Sequence, residues 1–302
     1  MSQSSQQFLA TLGRIANALE RMAPPSRAKP DFKRCIAARW RVSGTLKYLE
    51  AVQHVHHMDA DWLVGVEAQH ADIDRNTKQF VAGKPANNVL LTGSRGTGKS
   101  SLVKAMLGRY AKRGLRLIEV EKEHLNDMPD IVDQIADEPY RFVLFCDDLS
   151  FDAGDGSYKA LKAILDGSIA AATPNVLIYA TSNRRHLLPE YFHENEETKY
   201  VGEEVHFGES VEEKVSLSER FGMWISFYPF SQEDYLAAVI SWVQQLGAVI
   251  PADVKKQETF ERDALNWALQ RGSRSGRVAY QFARDFAGRV GATAKAGKSK
   301  GA

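Results

Sequence analysis

Residues 93–100 read Gly93-Ser94-Arg95-Gly96-Thr97-Gly98-Lys99-Ser100. Two glycines separated by four residues and followed by Lys and Ser form the P-loop pattern. Glycine permits the tight turns that point successive backbone N–H groups into one anion-sized hollow, and a helix starting there adds the positive end of its dipole. In this pattern the lysine reaches the β- and γ-phosphates and the serine hydroxyl binds Mg²⁺. The motif therefore predicts binding of a nucleoside triphosphate with Mg²⁺.

The residues on either side of the motif support this interpretation. Residues 88–92 (Asn-Val-Leu-Leu-Thr) are a short, mostly apolar run typical of a buried strand, and residues 101–107 have apolar positions at helical spacing. A P-loop requires a strand before it and a helix after it. A glycine-rich turn that binds nothing is the alternative, and it would not need this context.

Composition excludes several classes of protein. The 302 residues are 44% hydrophobic and 25% charged, which is ordinary for a globular protein. The net charge of +1 gives no bulk electrostatic reason to bind nucleic acid or an acidic membrane. The only cysteines, Cys35 and Cys146, are too few for a disulfide framework or a zinc site. With no signal-peptide pattern and no apolar run of transmembrane length, we expect a soluble cytoplasmic protein.

Five apolar runs predict the strands of a sheet. They are residues 88–92, 115–120, 142–146, 175–181 and 223–227. The second alternates in polarity, as a half-exposed edge strand would, and the third is continuously apolar, as in a central parallel strand. With helices between them, these runs predict an α/β fold with a five-stranded parallel sheet and ligands at its carboxyl edge.

The pattern of the chain predicts four regions. Residues 1–60 are expected to be a helical N-terminal region, and residues 61–228 a nucleotide-binding α/β domain. Residues 229–292 are expected to form a helical lid, which begins with Ser231 as an N-cap and Asp234 three residues later. The Gly/Ala/Lys-rich residues 293–302 are expected to be a disordered tail.

Asp147 and Asp148 follow the most apolar of the five runs. Two carboxylates at the end of a buried strand are costly unless a cation or water meets them there. A Walker B site would use Asp147 to hold Mg²⁺, mostly through water, and Asp148 to polarise the water that attacks the γ-phosphate. The alternative is a pair of solvated loop aspartates.

Asn183 follows the fourth apolar run, in Thr181-Ser182-Asn183. A neutral amide can accept a hydrogen bond from the attacking water and donate one to a γ-phosphate oxygen. A turn-forming asparagine is the common alternative. The position of its strand distinguishes the two, because Asn183 faces the γ-phosphate if that strand lies between the P-loop strand and the Walker B strand.

Together these segments resemble the AAA+ ATPase superfamily. The resemblance covers residues 61–289 and includes Ser218-Glu219-Arg220-Phe221-Gly222 and Gly276-Arg277. Residues 87–101, 147–151 and 182–187 are similar to a bacterial AAA+ family that is catalogued as a domain of unknown function. That family supplies no substrate.

The resemblance implies a role for each matching residue. Val64, Gly65 and Val66 would contact adenine, and residues 93 to 101, including Ser101, would hold the phosphates of ATP. Lys99 would act on the phosphates, Asn183 would be sensor 1, and Arg277 would be sensor 2. Arg220 would be an arginine finger that acts in trans on a neighbouring subunit. Arg184 and Arg185 compete with Arg220 for the finger, and Arg274 competes with Arg277.

The resemblance also implies an activity and an assembly. We expect an ATP hydrolase that uses ATP and Mg²⁺ to remodel or regulate an unidentified macromolecular partner as a ring-shaped homo-oligomer, with a hexamer as one arrangement. A loader of helicases or clamps is an alternative, which Arg34, Arg39, Arg41 and Lys47 leave open. A small-molecule P-loop kinase is another. Most AAA+ proteins have Glu where this chain has Asp148, so a slow ATP-dependent switch is a further alternative. The acidic residues 193–216 are either a contact loop or a surface insertion.

Overall fold

The computed structural model describes residues 7–8, 11–15, 28–56, 58–151, 156–166, 173–184, 199–201, 204–206 and 219–291. The strands are β1 (Ala37–Ser43), β2 (Leu46–Ala51), β3 (Val89–Gly93), β4 (Leu115–Glu119), β5 (Arg141–Cys146), β6 (Val176–Ser182), β7 (Lys199–Val201), β8 (Glu204–His206) and β9 (Met223–Phe227). The α-helices are α1 (Glu67–Val81), α2 (Lys99–Tyr110), α3 (Met128–Ile135), α4 (Ser157–Leu165), α5 (Gln232–Gln245), α6 (Val254–Gln270) and α7 (Gly276–Arg289). Short 3₁₀ helices cover Ala60–Trp62, Ala111–Arg113 and Lys122–Asp127.

Seven strands form the main sheet, in the order β2-β1-β4-β5-β6-β3-β9. Only the β1–β2 pair is antiparallel, and every other neighbouring pair in this sheet is parallel. The predicted α/β fold is confirmed, and all five predicted strands belong to its parallel part. The sheet has two more strands than predicted because the N-terminal region adds a hairpin.

The prediction of a helical N-terminal region is wrong for residues 37–51. These residues form β1 and β2, joined by a two-residue turn in which Gly44 adopts φ 60°. Trp40 pairs with Leu49 across the hairpin, and both are buried, whereas Arg39 beside them is exposed. Alternation of buried and exposed residues is typical of a strand, and the prediction of a helix did not take it into account. Helix is present in the described residues 7–8 and 11–15.

The predicted edge position of residues 115–120 is also wrong. Strand β4 lies between β1 and β5, and Arg116, which made the run look amphipathic, is buried. Its Nε donates to the carbonyl oxygen of Phe32 at 2.7 Å, and its guanidinium lies 4.0 Å from the centre of the Tyr140 ring. An arginine whose donors are satisfied internally can occupy a buried position without facing water.

The sheet has a hydrophobic cluster on each face. In β5, Phe142 and Leu144 pack into one cluster, and Val143 and Phe145 pack into the other. Residues 142–146 of β5 are apolar because helices and loops cover both faces of the strand. The carboxyl ends of the parallel strands are left as the edge at which polar residues meet.

Helices α5, α6 and α7 pack around a third cluster that contains Tyr235, Phe260 and Phe282. Helix α5 begins as predicted: the Ser231 hydroxyl accepts a hydrogen bond from the Asp234 N–H, and the Asp234 carboxylate accepts one from the Ser231 N–H. The described part of the chain contains no helix with the length and apolar character needed to cross a membrane. Residues 293–302 and most of residues 193–216 lie outside the described residues.

Candidate functional site

The loop at residues 93–98 joins β3 to α2 and depends on glycine. A Cβ on Gly93 would lie 2.0 Å from the carbonyl oxygen of Phe227 in the neighbouring strand β9, and Gly93 has φ 135°. Gly98 has φ 102° and is the N-cap of α2. A residue with a side chain would be strained at both angles. Glycine therefore allows the loop to turn and allows α2 to begin directly after it. The loop therefore has the strand–turn–helix context that the motif requires.

Lys99 lies at the start of α2 with its amino group turned into the loop. Nζ donates to the carbonyl oxygens of Gly93 (2.6 Å) and Ser94 (2.8 Å) and to Asn183 Oδ1 (3.1 Å). Burial lowers the pKa of Lys99 to about 8, although the charges of Asp148 and Asp147 act in the opposite direction. Burial thus makes the charged form of Lys99 less stable, and a bound polyanion would stabilise it.

The Asp147 carboxylate accepts two hydrogen bonds from hydroxyl groups. Ser100 Oγ and Thr181 Oγ1 each donate to Asp147 Oδ1 at 2.6 Å. Hydroxyl and carboxylate oxygens are hard ligands of the kind that Mg²⁺ prefers, together with water and phosphate oxygens. Ser100 and Asp147, the two predicted metal residues, therefore lie together in a donor set that fits Mg²⁺.

Asp148 has an uncommon backbone conformation, with φ 54°. Its N–H donates to Thr181 Oγ1 at 2.8 Å, and its carboxylate accepts a hydrogen bond from Asn183 Nδ2. Arg95 Nη2 lies 3.9 Å from Asp148 Oδ2. Positive φ outside glycine costs free energy and persists where surrounding contacts hold it, as Thr181 and Asn183 do here.

Asn183 follows β6, and β6 lies between β3 and β5. This is the position that places it beside the P-loop rather than in an unrelated turn. Its side chain contacts both Lys99 and Asp148. The predicted residues Lys99, Ser100, Asp147, Asp148 and Asn183 therefore form one connected polar cluster at the carboxyl edge of the sheet.

A cavity of about 820 Å³ opens from this cluster. Among the described residues, its polar part includes Arg95 to Ser101, Asp147, Asp148, Asn183 and Arg277. Of the three residues predicted to contact adenine, Val64 and Val66 line the cavity, whereas Gly65 does not, and a Cβ on Gly65 would lie 3.5 Å from Asp234. A cavity of this size with convergent polar groups at one end matches the usual dimensions of a ligand site.

The less polar part of the cavity wall was not predicted, and it comes from three separate segments. These residues are His56, Met58, Trp62, Leu63, Phe230, Trp242, Leu246 and Tyr280. Trp62 stands two residues before the predicted Val64, so a wider search there would have found it. The sequence around Trp242 and Tyr280 gives no signal of a ligand site, because both have the spacing of helix residues that pack in a core. Thr181 also lines the cavity, and its place at the end of an apolar run gives no separate signal of a site.

Arg274 and Arg277 are the two candidates for sensor 2 in the lid, and they line different cavities. Arg277 lines the cavity, and its charge contributes to lowering the pKa of Lys99. Arg274 lines a neighbouring cavity of about 610 Å³. The start of α7 is attached to the P-loop, since the Gly276 N–H donates to the Gly96 carbonyl oxygen at 2.9 Å.

Arg220 lies at the opposite edge of the sheet from the cluster. It precedes β9, whose first residue, Met223, donates to the Asn88 carbonyl oxygen at the amino end of β3. A five-residue strand is about 17 Å long, so Arg220 does not reach the P-loop of its own chain. Its Nε donates to Asp166, which follows α4.

The competing arginines beside Asn183 are placed differently. Arg184 Nη1 donates to the Phe151 carbonyl oxygen at 3.2 Å, and the Arg184 N–H donates to Ser182 Oγ. Arg185 lies outside the described residues. The geometry therefore separates Arg184, at the carboxyl edge, from Arg220, at the amino edge.

The fold is of the AAA+ type, as the resemblance implied. The chain belongs to the family described as "Protein of unknown function (DUF815)", which matches residues 33–290. Among curated proteins, no sequence matches it.

Solved structures resemble the fold at low sequence identity. A point variant of RuvB from Thermotoga maritima is 14% identical, with a TM-score of 0.50 over 80% of this chain and 69% of that chain. The Orc1 protein of Aeropyrum pernix, solved in complex with DNA, is 16% identical, with a TM-score of 0.51 over 76% of this chain and 61% of that chain. At such identities the likeness concerns the fold alone.

Proposed function

We propose that this protein is a Mg²⁺-dependent ATP hydrolase. The observation that carries the proposal is the connected cluster of Lys99, Ser100, Asp147, Asp148 and Asn183 beside the P-loop. Phosphoryl transfer to water needs positioned charges and a positioned water rather than covalent chemistry from the protein. The cluster contains one group for each of these tasks.

Each residue then has a defined task. Lys99 would leave its carbonyl partners to bind the β- and γ-phosphates. Ser100 and Asp147 would hold Mg²⁺, which would neutralise phosphate charge. Asp148 accepts a hydrogen bond from the attacking water and orients it. Asn183 lies between Lys99 and Asp148 and donates to a γ-phosphate oxygen. Arg277 adds a permanent positive charge from the lid.

Arg220 completes the site of a neighbouring copy. Its position at the amino edge of the sheet supports action in trans, because it lies away from its own P-loop while its charge is needed at a γ-phosphate. The proposal therefore includes a homo-oligomer, in a ring. Cys35 and Cys146 are both free thiols, which supports work in a reducing compartment such as the cytoplasm.

We expect ATP hydrolysis to drive the remodelling or regulation of a macromolecular partner. A nucleic-acid loader has weaker support, because three of the basic residues that favoured it are in ion pairs. Arg39 pairs with Glu119, Arg41 with Glu50 and Glu121, and Lys47 with Asp127 and Asp130.

A slow ATP-dependent switch is the second candidate, and one observation favours it. The Asp148 carboxylate already accepts a hydrogen bond from Asn183, and an aspartate is one methylene shorter than the glutamate common in AAA+ proteins. This bond fixes the direction of the carboxylate, and the shorter side chain must reach the attacking water from there with its remaining lone pairs. A rate of hydrolysis far slower than ATP release would favour the switch.

Phosphate release tests the proposed function. The wild-type protein with ATP and Mg²⁺ is expected to release phosphate over many turnovers, and Lys99→Ala is expected to release none above background. Lys112→Ala, which removes an exposed lysine beyond α2, is the matched control and should hydrolyse at the wild-type rate. Equal rates for wild type and Lys99→Ala would refute the proposal.

The pKa of Lys99 predicts how ATP affinity depends on pH. Bound phosphates favour the charged lysine, and the empty site releases that proton as the pH rises through about 8. Affinity should therefore fall about tenfold between pH 7 and pH 9. Calorimetric titration at several pH values measures it. Lys99→Arg, which stays charged, should show a flat profile over this range; a flat profile for wild type would contradict the prediction.

A further inference from the structure

The less polar end of the cavity has an aromatic wall made by three residues. The Trp62 and Trp242 ring centres are 6.0 Å apart at an interplanar angle of 72°, and those of Trp242 and Tyr280 are 4.8 Å apart at 61°. Trp62 belongs to the segment before α1, whereas Trp242 and Tyr280 belong to α5 and α7. Aromatic rings of this kind offer flat apolar contact to a planar base.

Gln245, the last residue of α5, lines the same cavity. Its Nε2 donates to Ser241 Oγ at 3.2 Å. Its Oε1 is enclosed and has no hydrogen-bond partner within the described parts of the chain. Two other buried polar atoms among these residues share that condition, Asn175 Oδ1 and Trp267 Nε1, and neither residue lines the cavity.

An enclosed acceptor without a partner is unfavourable, and a donor that reaches it removes the penalty. The last torsion of a glutamine side chain has a broad profile, so the amide can turn toward a donor that enters the cavity. The bond from Nε2 to Ser241 Oγ, at 3.2 Å, is at the long end of the usual range, so little is lost when the amide turns to bring Oε1 to the cavity.

We propose that Gln245 selects the base of the nucleotide by accepting a hydrogen bond from the exocyclic amine of adenine. This rests on the proposed function, in that the cavity holds a nucleotide with its phosphates at the P-loop. A purine with an oxygen at the same position directs an acceptor at Oε1 and is disfavoured. Sites built to pair a polar group reject analogues that leave it unpaired more strongly than apolar pockets reject an extra group.

Equilibrium binding of three triphosphates with Mg²⁺ tests the proposal. The probes are ATP, GTP and purine riboside triphosphate, which has the purine ring without the amine. Wild type should bind ATP about tenfold more tightly than purine riboside triphosphate, the effect of one satisfied hydrogen bond. In Gln245→Leu the two affinities should be within about twofold of each other. Gln244→Leu, at the exposed neighbouring position, should keep the wild-type preference.

The results separate this proposal from the proposed function. If none of the triphosphates binds, both fall. If wild type binds ATP and purine riboside triphosphate equally, binds GTP as tightly as ATP, or if Gln245→Leu keeps the wild-type preference, only the role of Gln245 is overturned. Gln245→Glu provides a second variant if Gln245→Leu does not fold. Its carboxylate accepts hydrogen bonds and must retain the preference for ATP over purine riboside triphosphate; loss of that preference overturns the proposal.

Discussion

Arg220→Ala is expected to bind ATP with nearly the wild-type affinity and to hydrolyse it about a thousandfold more slowly. The binding site of each subunit stays intact, because Arg220 lies at the amino edge of the sheet, away from its own P-loop. The charge that develops on the γ-phosphate oxygens in the neighbouring subunit then lacks its guanidinium partner. Calorimetric titration measures the affinity, and steady-state phosphate release measures the rate.

Arg184→Ala is the matched comparison for this prediction. Arg184 lies at the carboxyl edge, and its guanidinium donates to the Phe151 carbonyl oxygen. If Arg184→Ala loses hydrolysis and Arg220→Ala retains it, Arg184 is the finger and the assignment to Arg220 is wrong. Thermal unfolding of both variants establishes that a lost rate does not reflect a lost fold, since Arg220 also bonds to Asp166.

Asp148→Asn is expected to keep ATP bound and to lower the rate of hydrolysis about a hundredfold or more. The exchange removes the charge that polarises water and leaves the backbone undisturbed, because asparagine tolerates the positive φ of this position well. The variant should therefore remain in an ATP-bound state, and a client that binds this state should co-purify with it. Single-turnover hydrolysis and nucleotide content after gel filtration measure the effect.

Asp137→Asn provides the control for the Asp148 variant, since Asp137 is an exposed aspartate in the connection between α3 and β5. It should match wild type in both rate and nucleotide content. An Asp148→Asn protein that hydrolyses ATP at the wild-type rate would remove Asp148 from the reaction. An Asp148→Asn protein that no longer binds ATP would assign the residue to binding instead.

The central strands β3 to β6 could be predicted from the sequence because they are buried on both faces. Phe142 to Cys146 is apolar throughout for that reason, and the run could be recognised without any contact information. The β1–β2 hairpin was not predicted. Its polar and apolar residues alternate, but they belong to a segment whose aromatic residues have a loosely helical spacing. Arg116 led to the wrong prediction of an edge strand, because Phe32 and Tyr140, the partners that allow its burial, are distant in sequence.

The phosphate end of the candidate site was predictable for a similar reason. Its residues belong to one local motif or follow the ends of strands, and parallel strands bring those ends to one edge. The other end is made by tertiary contact: Trp62, Trp242 and Tyr280 come from segments up to 218 residues apart, and no local pattern links them. The unpaired oxygen of Gln245 is likewise visible only once α5 is packed.

A mixing experiment tests the central claim most directly, namely that two copies of the chain build one hydrolysis site. Lys99→Ala lacks a functional P-loop but carries Arg220, whereas Arg220→Ala keeps its P-loop and lacks the finger. Each variant alone is expected to be inactive, and a mixture is expected to recover phosphate release, with a maximum when both are present in similar amounts. A mixture as inactive as its two components, at concentrations where they assemble together, would contradict the account.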